Sequence, residues 1–363
     1  MRKIVINGEL FVSEEIYGIA RHTFELLIEL DRIVPSNEVE VFAPKCDFRA
    51  DIFQNIKFTK MGKYTNKNKY IAKIYRVIWR YIFFPAYCLL KHALSVNTFL
   101  VWKYYNFEVM SIYDCTPDLF PDFFSLTPEQ RARYDNLLNN QHRNSKACKL
   151  ILTDSQSAKE DIIKVYKIAP DKVESIYCGW QHFSRFAEDE SVLERHGLAE
   201  KSYFFSLGSR LPHKNIKWVS CAAKKHPQYK FVVTGSKHGN TDMSYEGEIP
   251  ENMIFTGYLK DEEIKALMRH CKAFIQPSFY EGFGLPPLEA MSVGADCIVS
   301  NKGSLPEVYK NSVWYIDPYD YDNINLDEIM SRPKESNDVI LNEYSWEKSA
   351  RKLWDTLQKL ANE

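Results

Sequence analysis

Short apolar runs and amphipathic segments alternate along most of the chain. The runs of the N-terminal half predict strands at Lys3–Gly8, Val39–Pro44, Ile56–Met61, Val109–Asp114, Leu150–Asp154 and Val173–Cys178. Apolar residues at helical spacing predict helices at Glu15–Ile33 and Ser155–Tyr166, and the serine at the start of the second can cap it. Strand–helix alternation of this kind implies a parallel sheet with helices on both faces.

The C-terminal half repeats the alternation more regularly. Its predicted strands are Tyr203–Gly208, Lys230–Gly235, Met253–Gly257, Ala273–Pro277, Cys297–Asn301 and Val313–Asp317. Between them, Asp261–Lys272 has apolar residues at helical spacing and acidic residues in its first turn, which is typical of a helix. Strands in this rhythm match one doubly wound domain.

The expected fold class is therefore α/β, with two doubly wound Rossmann-like domains facing a central cleft. The charged stretch 183–201 lacks strand character, which places the predicted domains at residues 1–183 and 184–343. The tail, 344–363, predicts one amphipathic helix that docks on an existing face, because no strand follows it. Ligands of open parallel sheets bind beyond the carboxyl ends of the strands, so functional residues are expected there.

The composition fits a globular protein and argues against several classes. Among the 363 residues, Lys and Arg number 47 and Asp and Glu 48, and this balance argues against a nucleic-acid partner. Eight scattered cysteines without a CxxC pair indicate reduced thiols in the cytosol and no zinc or iron–sulfur site. The first apolar run is too short for a signal peptide, and Ile71–Leu90 carries three charges and Pro85, which argues against a transmembrane helix.

The strongest candidate site is the segment from Gln276 to Glu289, QPSFYEGFGLPPLE. A predicted strand leads there into a glycine-containing loop, and Pro286 and Pro287 suit the first turn of a helix, where a missing N–H costs little. Glycines let backbone amides approach a ligand, and a helix N-terminus favours phosphate. Glu281 and Glu289 flank this anion site. Either glutamate alone is more often a cap or a solvated residue, so the interpretation depends on the whole string.

The string resembles the E-x7-E signature of retaining glycosyltransferase family 4, with Glu281 and Glu289 as its glutamates, and the chain looks like a bacterial mannosyltransferase of that family. Members have the two-domain fold called GT-B. Other segments that resemble the family are Gly18–Arg21, Tyr113–Pro117, Ser206–Asn215, Thr256–Tyr258, Gly303–Glu307 and Ile316–Pro318. The resemblance implies an N-terminal acceptor domain, a C-terminal donor domain and a terminal helix that crosses back to the first.

The resemblance also assigns roles. Glu289 is expected to accept hydrogen bonds from the ribose hydroxyls of the donor, and Glu281 to lie beside the donor sugar. Arg210 and Lys214 would supply positive charge to the departing diphosphate, and Asp114 would contact the sugar. The catalytic candidates are thus Glu281, Asp114, Arg210 and Lys214. The further donor-binding candidates are Gly18, Gly208, Gly257, Tyr258, Gly282, Phe283, Gly284 and Leu285.

Tyr113 departs from the family pattern, in which a histidine often precedes the aspartate. A tyrosine with its unperturbed pKa of about 10 cannot replace imidazole as a base near pH 7. His22 and His213 are candidate substitutes, although a surface or structural histidine is the more common case.

The implied reaction is retaining transfer of a hexose, with a slight preference for mannose, from a nucleotide-diphosphate sugar to a saccharide or lipid-linked saccharide. The implied setting is the cytoplasmic synthesis of a surface polysaccharide such as lipopolysaccharide. No cofactor and no metal are expected, because the basic pair and the helix N-terminus can stabilise the leaving phosphate. Three alternatives stay open: a glycoside hydrolase that uses the two glutamates, a nucleotide-sugar epimerase, and a non-catalytic nucleotide- or saccharide-binding subunit.

A basic region at 52–107 contains ten Lys or Arg and no Asp or Glu. An apolar helical face there comprises Ile71, Ile74, Tyr75, Ile78 and Ile82, with Lys73, Arg76 and Arg80 on another face. Two interpretations stay open. The segment is either an ordinary helix packed on the first domain, or a basic amphipathic helix on the anionic inner surface of the cell membrane.

Overall fold

The structure, a computed structural model, describes residues 2–12, 18–44, 50–61, 69–98, 107–123, 127–207, 212–235 and 249–363. The N-terminal strands are β1 (Ile4–Asn7), β2 (Val39–Ala43), β3 (Lys57–Lys60), β4 (Leu94–Asn97), β5 (Val109–Ser111), β6 (Leu150–Thr153) and β7 (Val173–Ser175). The C-terminal strands are β8 (Tyr203–Ser206), β9 (Lys230–Val233), β10 (Met253–Phe255), β11 (Ala273–Gln276), β12 (Cys297–Ser300) and β13 (Trp314–Ile316). Every predicted strand overlaps an observed one.

Two parallel sheets result, in the orders β3-β2-β1-β4-β5-β6-β7 and β10-β9-β8-β11-β12-β13. The predicted α/β class with two doubly wound sheets is therefore confirmed. In each sheet the strand order reverses once, between β1 and β4 and between β8 and β11. Such reversals open a crevice at the carboxyl ends of the two strands, where ligands of these folds bind.

Strand β4 was not predicted. It lies between β1 and β5, with Ile4 paired to Leu94 and Val96 paired to Val109. Its four residues are all buried, but the sequence around it is aromatic and basic and lacks the turn residues that mark a strand.

The helices up to the first crossing between the sheets are α1 (Ile19–Ile33), α2 (Lys69–Ile78), α3 (Phe84–Leu90), α4 (Thr116–Leu119), α5 (Pro128–Ala147), α6 (Gln156–Tyr166) and α7 (Gln181–Ser184). A π-helical turn, Trp79–Phe83, joins α2 to α3. The later helices are α8 (Ser191–Arg195), α9 (Ile216–Lys225), α10 (Asp261–His270), α11 (Leu285–Ser292), α12 (Leu305–Tyr309), α13 (Leu326–Ser331), α14 (Asn337–Glu343) and α15 (Trp346–Asn362).

Capping side chains fix where several helices begin. The Ser155 hydroxyl accepts a hydrogen bond from the Ala158 N–H at 3.0 Å, so α6 starts as the sequence predicts. Ser345 caps α15 in the same way, accepting from the Lys348 N–H at 3.2 Å. Each cap satisfies a backbone donor that the helix itself leaves unpaired.

The terminal helix α15 packs against α1 of the N-terminal domain. Leu353 and Leu357 lie in the same apolar core as Phe24 and Leu27. The Arg2 N–H also donates to the Ala361 carbonyl at 3.0 Å, close to the end of the helix. The last segment of the chain therefore ties the C-terminal domain to the N-terminal one.

Candidate functional site

The loops after β8 and β11, the two strands at the C-terminal switch point, bring Lys214 and Glu281 together. The Lys214 ammonium lies 2.7 and 2.8 Å from the two carboxylate oxygens of Glu281. The side chain of Glu281 is 9% exposed and that of Lys214 22%. The two predicted catalytic residues thus form a largely buried ion pair at the position where the topology favours a ligand.

Two neutral donors complete the shell around Glu281. The Ser278 hydroxyl donates to Oε1 at 2.6 Å and the Gln276 amide at 3.0 Å. Burial by itself raises the pKa of Glu281, but the charge of Lys214 and the hydrogen bonds from Lys214 and Ser278 outweigh it and hold the pKa below its usual value. Glu281 is therefore an ionised carboxylate with a fixed orientation at neutral pH.

Gly282 and Gly284 shape the loop between the two glutamates. A Cβ at Gly282 would lie 2.3 Å from the carbonyl oxygen of Tyr113, in the opposite domain. Gly284 has φ +82°, and a Cβ there would lie 2.4 Å from a methyl of Leu305. Both positions therefore require glycine, the first because two backbones meet across the cleft and the second because of its backbone conformation.

Further contacts join the two domains beside this loop. The Ser155 hydroxyl donates to the Gly282 carbonyl at 2.5 Å. Glu307, in α12, accepts from the N–H groups of Gln156 and Ser157 at 2.8 and 2.7 Å, at the start of α6. An anionic side chain at a helix N-terminus is favourable, so this contact stabilises the facing arrangement of the domains.

Glu289, the second glutamate of the motif, lies in α11 and has a different kind of partner. Its Oε1 atom is 2.8 Å from Nε2 of His182, whose side chain is fully buried. Nδ1 of His182 in turn accepts a hydrogen bond from the indole N–H of Trp346 at 3.0 Å. Neither His182 nor Trp346 was predicted as a site residue, because neither belongs to a motif or a strand end.

Asp114 and Asp154 follow β5 and β6 on the N-terminal side of the cleft. Asp114 accepts from the Thr116 N–H at 2.8 Å, which turns the chain into α4. Asp154 lies beneath Gly282, its Oδ1 3.1 Å from where a Cβ of that glycine would be. Burial raises the pKa of Asp154 well above its usual value, and the charge of Asp114 adds to the effect.

Tyr113 and the two candidate histidines are all uncharged at neutral pH. The Tyr113 hydroxyl donates to the Thr98 carbonyl at 3.1 Å, and burial raises its pKa, so it stays neutral. His22 is buried with its ring 5.0 Å from that of Tyr113, and burial lowers its pKa to about 4. Burial and the adjacent charge of Lys214 lower the pKa of His213. Both imidazoles are therefore neutral at pH 7.

The other predicted donor-site residues are placed as follows. Gly208 and Arg210 lie outside the described residues, so their roles stay predictions. Gly257 has φ +77° and pairs with Gly235 in an isolated bridge, and the Tyr258 side chain is exposed beside it. Phe283 is buried and Leu285 opens α11. Gly18 is exposed at the start of α1.

One group of metal-ligand residues was not predicted. Glu188, Glu190 and His270 lie close enough to share an ion, outside the glutamate loop. His270 Nε2 is 3.2 Å from Glu188, whose other oxygen accepts a hydrogen bond from Arg269 at 2.6 Å. Within the described ranges, the helices lack the length and apolar character needed to cross a bilayer.

Comparison with known proteins finds sequence similarity to glycosyltransferases and structural similarity to proteins of the GT-B fold. Residues 189–346 match the family described as glycosyl transferases group 1. The O-antigen chain mannosyltransferase B of Escherichia coli is 32% identical over 243 residues, which cover 64% of this chain and 61% of that protein. The chain thus spans less than two thirds of the length of the curated relatives it first matches.

Solved structures show the same fold over nearly the whole chain. Sucrose-phosphate synthase from Thermosynechococcus elongatus superposes with a TM-score of 0.71 at 16% identity and covers 99% of both chains. HepE from Anabaena, in complex with UDP and glucose, gives a TM-score of 0.63 at 14% identity and covers 99% of this chain and 100% of that one. The predicted GT-B architecture is therefore confirmed.

Proposed function

We propose that the protein is a retaining glycosyltransferase of family 4 that transfers a hexose, with mannose preferred, from a nucleotide-diphosphate sugar to a saccharide or lipid-linked saccharide in surface polysaccharide synthesis. The observation that carries the proposal is the Lys214–Glu281 pair at the switch point of a domain that matches the group 1 glycosyltransferases. The mannosyltransferase relative supports the preferred sugar and the setting.

The residues have distinct roles in the proposed reaction. Departure of the nucleoside diphosphate places negative charge on the leaving phosphate, which Lys214, together with Arg210 and the start of α11, would stabilise. Lys214 would then share its charge between Glu281 and the phosphate. Glu281 would contact the hydroxyls of the donor sugar, and Asp114 the same sugar from the opposite domain. We propose that this charge stabilisation needs neither a metal nor another cofactor.

A thermal-shift titration with UDP, GDP, dTDP, ADP and CMP, without added metal, tests the donor site. A ligand at 100 times its Kd stabilises the native state by about 2.7 kcal/mol, and we expect one diphosphate, GDP for a mannosyl donor, to stand out. An assay of mannose transfer from the GDP-linked sugar to a lipid-linked acceptor would then identify the reaction. NMR of the product should show that the α configuration of the donor is retained. The absence of a shift with every nucleotide would contradict the assignment.

The three alternatives differ in whether turnover requires a nucleotide and whether it requires an acceptor. A glycoside hydrolase releases sugar from an oligosaccharide without any nucleotide, and an epimerase converts the nucleotide-sugar without an acceptor. A binding subunit binds the nucleotide and turns over no acceptor. The Lys214–Glu281 pair favours the transferase, because a glycosidase needs no cation for a leaving phosphate.

We further propose that the protein acts in the cytoplasm, attached to the inner face of the membrane through the helical segment α2–α3. The inner face of this segment packs on the N-terminal sheet through Trp79, Phe84 and Cys88. On the outer face, Ile74 is 61% exposed, Ile82 56% and Leu89 73%. Apolar side chains facing solvent beside exposed basic residues suit an anionic lipid surface better than water.

Two valines of nearly equal exposure give a matched test of membrane attachment. Val77 in α2 is 46% exposed, and Val339 in α14 is 44% exposed. We expect Val77→Asp to lower the fraction that co-sediments with phosphatidylglycerol vesicles, and Val339→Asp to leave it unchanged. Co-sedimentation that does not depend on the anionic lipid content would contradict the proposal.

A further inference from the structure

We propose that His182 and Trp346 are positioning residues that hold the Glu289 carboxylate in the orientation that receives the nucleotide ribose. This inference rests on the proposed function, in which Glu289 binds the ribose of the donor. It adds two residues that lie outside the glutamate motif and belong to the two segments in which the chain crosses between the domains.

The three side chains form one buried chain of hydrogen bonds. His182 is fully buried, Trp346 is 1% exposed and Glu289 is 6% exposed. The indole nitrogen of Trp346 lies 3.0 Å from Nδ1 of His182, and Nε2 of His182 lies 2.8 Å from Oε1 of Glu289. Buried polar groups at these distances have well-defined orientations, because losing a partner leaves a desolvated group unpaired.

Trp346 determines the tautomer of His182. An indole nitrogen can only donate, so Nδ1 of the imidazole must accept and carries no proton. The proton of the neutral ring is then on Nε2, which donates to the Glu289 carboxylate. His182 therefore presents one fixed N–H donor to Glu289, and the Glu289 carboxylate acts as the acceptor.

The carboxylate keeps capacity for a ligand. The contact with His182 uses Oε1, and no hydrogen bond to Oε2 is found within the part of the chain that the structure describes. An ionised carboxylate offers about four acceptor positions, so the remaining lone pairs are available to the 2′- and 3′-hydroxyls of a ribose. With one oxygen held by His182, the plane of the carboxylate is fixed before the donor arrives.

His182 and Trp346, which together hold Glu289, come from the crossings between the domains. His182 is in α7 on the first crossing, and Trp346 opens α15 on the second. The two crossings lie against each other: a Cβ at Gly179 would be 2.1 Å from the backbone nitrogen of Trp346, and the Gln181 side chain accepts from that N–H at 3.1 Å. The position of the ribose-binding carboxylate is thus tied to the segments about which the domains would move.

The test measures how strongly the protein prefers a ribonucleotide over its 2′-deoxy form. The ligands are the diphosphate selected by the thermal-shift screen, GDP for a mannosyl donor, and its 2′-deoxy analogue, with Kd values from calorimetry. We expect the wild-type protein to prefer the ribonucleotide by roughly ten-fold or more, the value of a hydrogen bond to a charged group. Trp346→Phe and His182→Leu should reduce this preference to near one, mainly by weakening the ribonucleotide, because the deoxy form keeps only the 3′-hydroxyl as a contact to Glu289.

His182→Gln is the matched conservative variant, because its amide nitrogen can occupy the place of Nε2 and donate to Glu289. We expect it to keep most of the ribose preference. With the sugar donor, Trp346→Phe should raise the donor KM and leave kcat at saturation nearly unchanged. If His182→Leu does not fold, Trp346→Phe is the variant that decides the test, because it removes one N–H and keeps an aromatic ring.

The possible failures are distinguishable. Equal loss of affinity for both nucleotides in Trp346→Phe would indicate a merely structural role and overturn the inference. Retention of the full ribose preference in that variant would overturn it as well. A wild-type protein that transfers sugar but binds the deoxy form equally well would overturn the inference and the ribose role of Glu289, while the proposed transferase activity would stand.

Discussion

Glu281 and Glu289 belong to one loop–helix unit and are both buried, yet the protein stabilises the two carboxylates by different means. Glu281 has a cation, Lys214, and two neutral donors. Glu289 has a neutral imidazole whose orientation is set by Trp346. The first arrangement fixes a charge and the second fixes a direction, which suits one carboxylate to a charged transition state and the other to recognition of hydroxyls.

Removing Lys214 should have the largest effect, because it leaves the buried Glu281 charge unpaired. We expect Lys214→Met to lose about 3 kcal/mol of stability in urea unfolding and to lower kcat by roughly 100-fold or more. The double variant Lys214→Met/Glu281→Gln should recover most of the stability and none of the activity. Lys310→Met is the control, because its pair with Glu343 is exposed and contributes less than about 1 kcal/mol.

Glu281→Gln and Glu289→Gln should have different effects on the steady-state kinetics. The change keeps the shape and removes the charge, so we expect kcat to fall by roughly 100-fold with little change in nucleotide affinity, whereas Glu289→Gln should mainly raise the donor KM. Steady-state kinetics with varied donor separates the two effects. A rise in KM alone for Glu281→Gln would contradict the distinction.

The same variant has a pH signature in its stability. The lowered pKa of Glu281 means that the native protein binds this proton less readily than the unfolded chain does. The stabilisation is therefore complete above the ordinary carboxyl pKa and is lost as the pH falls through the native one. The difference in unfolding free energy between the wild type and Glu281→Gln should accordingly shrink at low pH.

Asp154 is a third buried carboxylate of this region and extends the comparison, because neither a cation nor an imidazole pairs with it in the described part of the chain. Its Oδ1 atom has no hydrogen-bond donor among the described residues. Its raised pKa means that the native state favours the protonated form, so ionisation costs stability above the unfolded pKa. We expect Asp154→Asn to raise the stability at pH 7 by about 1 kcal/mol or more, since one pKa unit is worth 1.36 kcal/mol.

The pH dependence of Asp154→Asn supplies its control. As the pH falls toward the ordinary aspartate pKa of about 3.9, the carboxyl becomes protonated in the unfolded state as well, so the advantage of the asparagine should shrink. Thermal melts of the two proteins between pH 4 and 8 give the comparison. An equal difference in melting temperature at every pH would show that the surroundings do not raise the pKa of this carboxyl.

Much of the fold could be predicted because most strands are short buried runs and several helices begin at a capping side chain. Helix α6 illustrates this, since the serine that caps it is visible in the sequence. Strand β4 could not be predicted in this way, because its pattern merges with the basic aromatic segment before it. Local patterns therefore predicted elements wherever turns and caps separate them.

The candidate site could be predicted only in part. Glu281 and Lys214 follow strands that are neighbours at a switch point, so strand-end reasoning placed both at one edge of a sheet. His182 and Trp346 are 164 positions apart and meet Glu289 only after two crossings between the domains. His182 lies in a stretch from Trp180 to Phe186 that mixes aromatic and polar residues, and such a mixture does not reveal a partner.

Tyr113→Phe should have the smallest effect of these variants. Tyr113 lies on the N-terminal side of the cleft, opposite the two glutamates. The hydroxyl donates to the Thr98 carbonyl and stays neutral, so its loss should cost about 1 kcal/mol of stability. Because this group offers no base to the cleft, we expect kcat to change less than about two-fold and the pH–rate profile to keep its shape. A shifted basic limb would instead assign Tyr113 a proton-transfer role. An unchanged profile would exclude Tyr113 and leave Glu281, Lys214, Arg210, Asp114 and the leaving phosphate as the candidate groups for the chemistry.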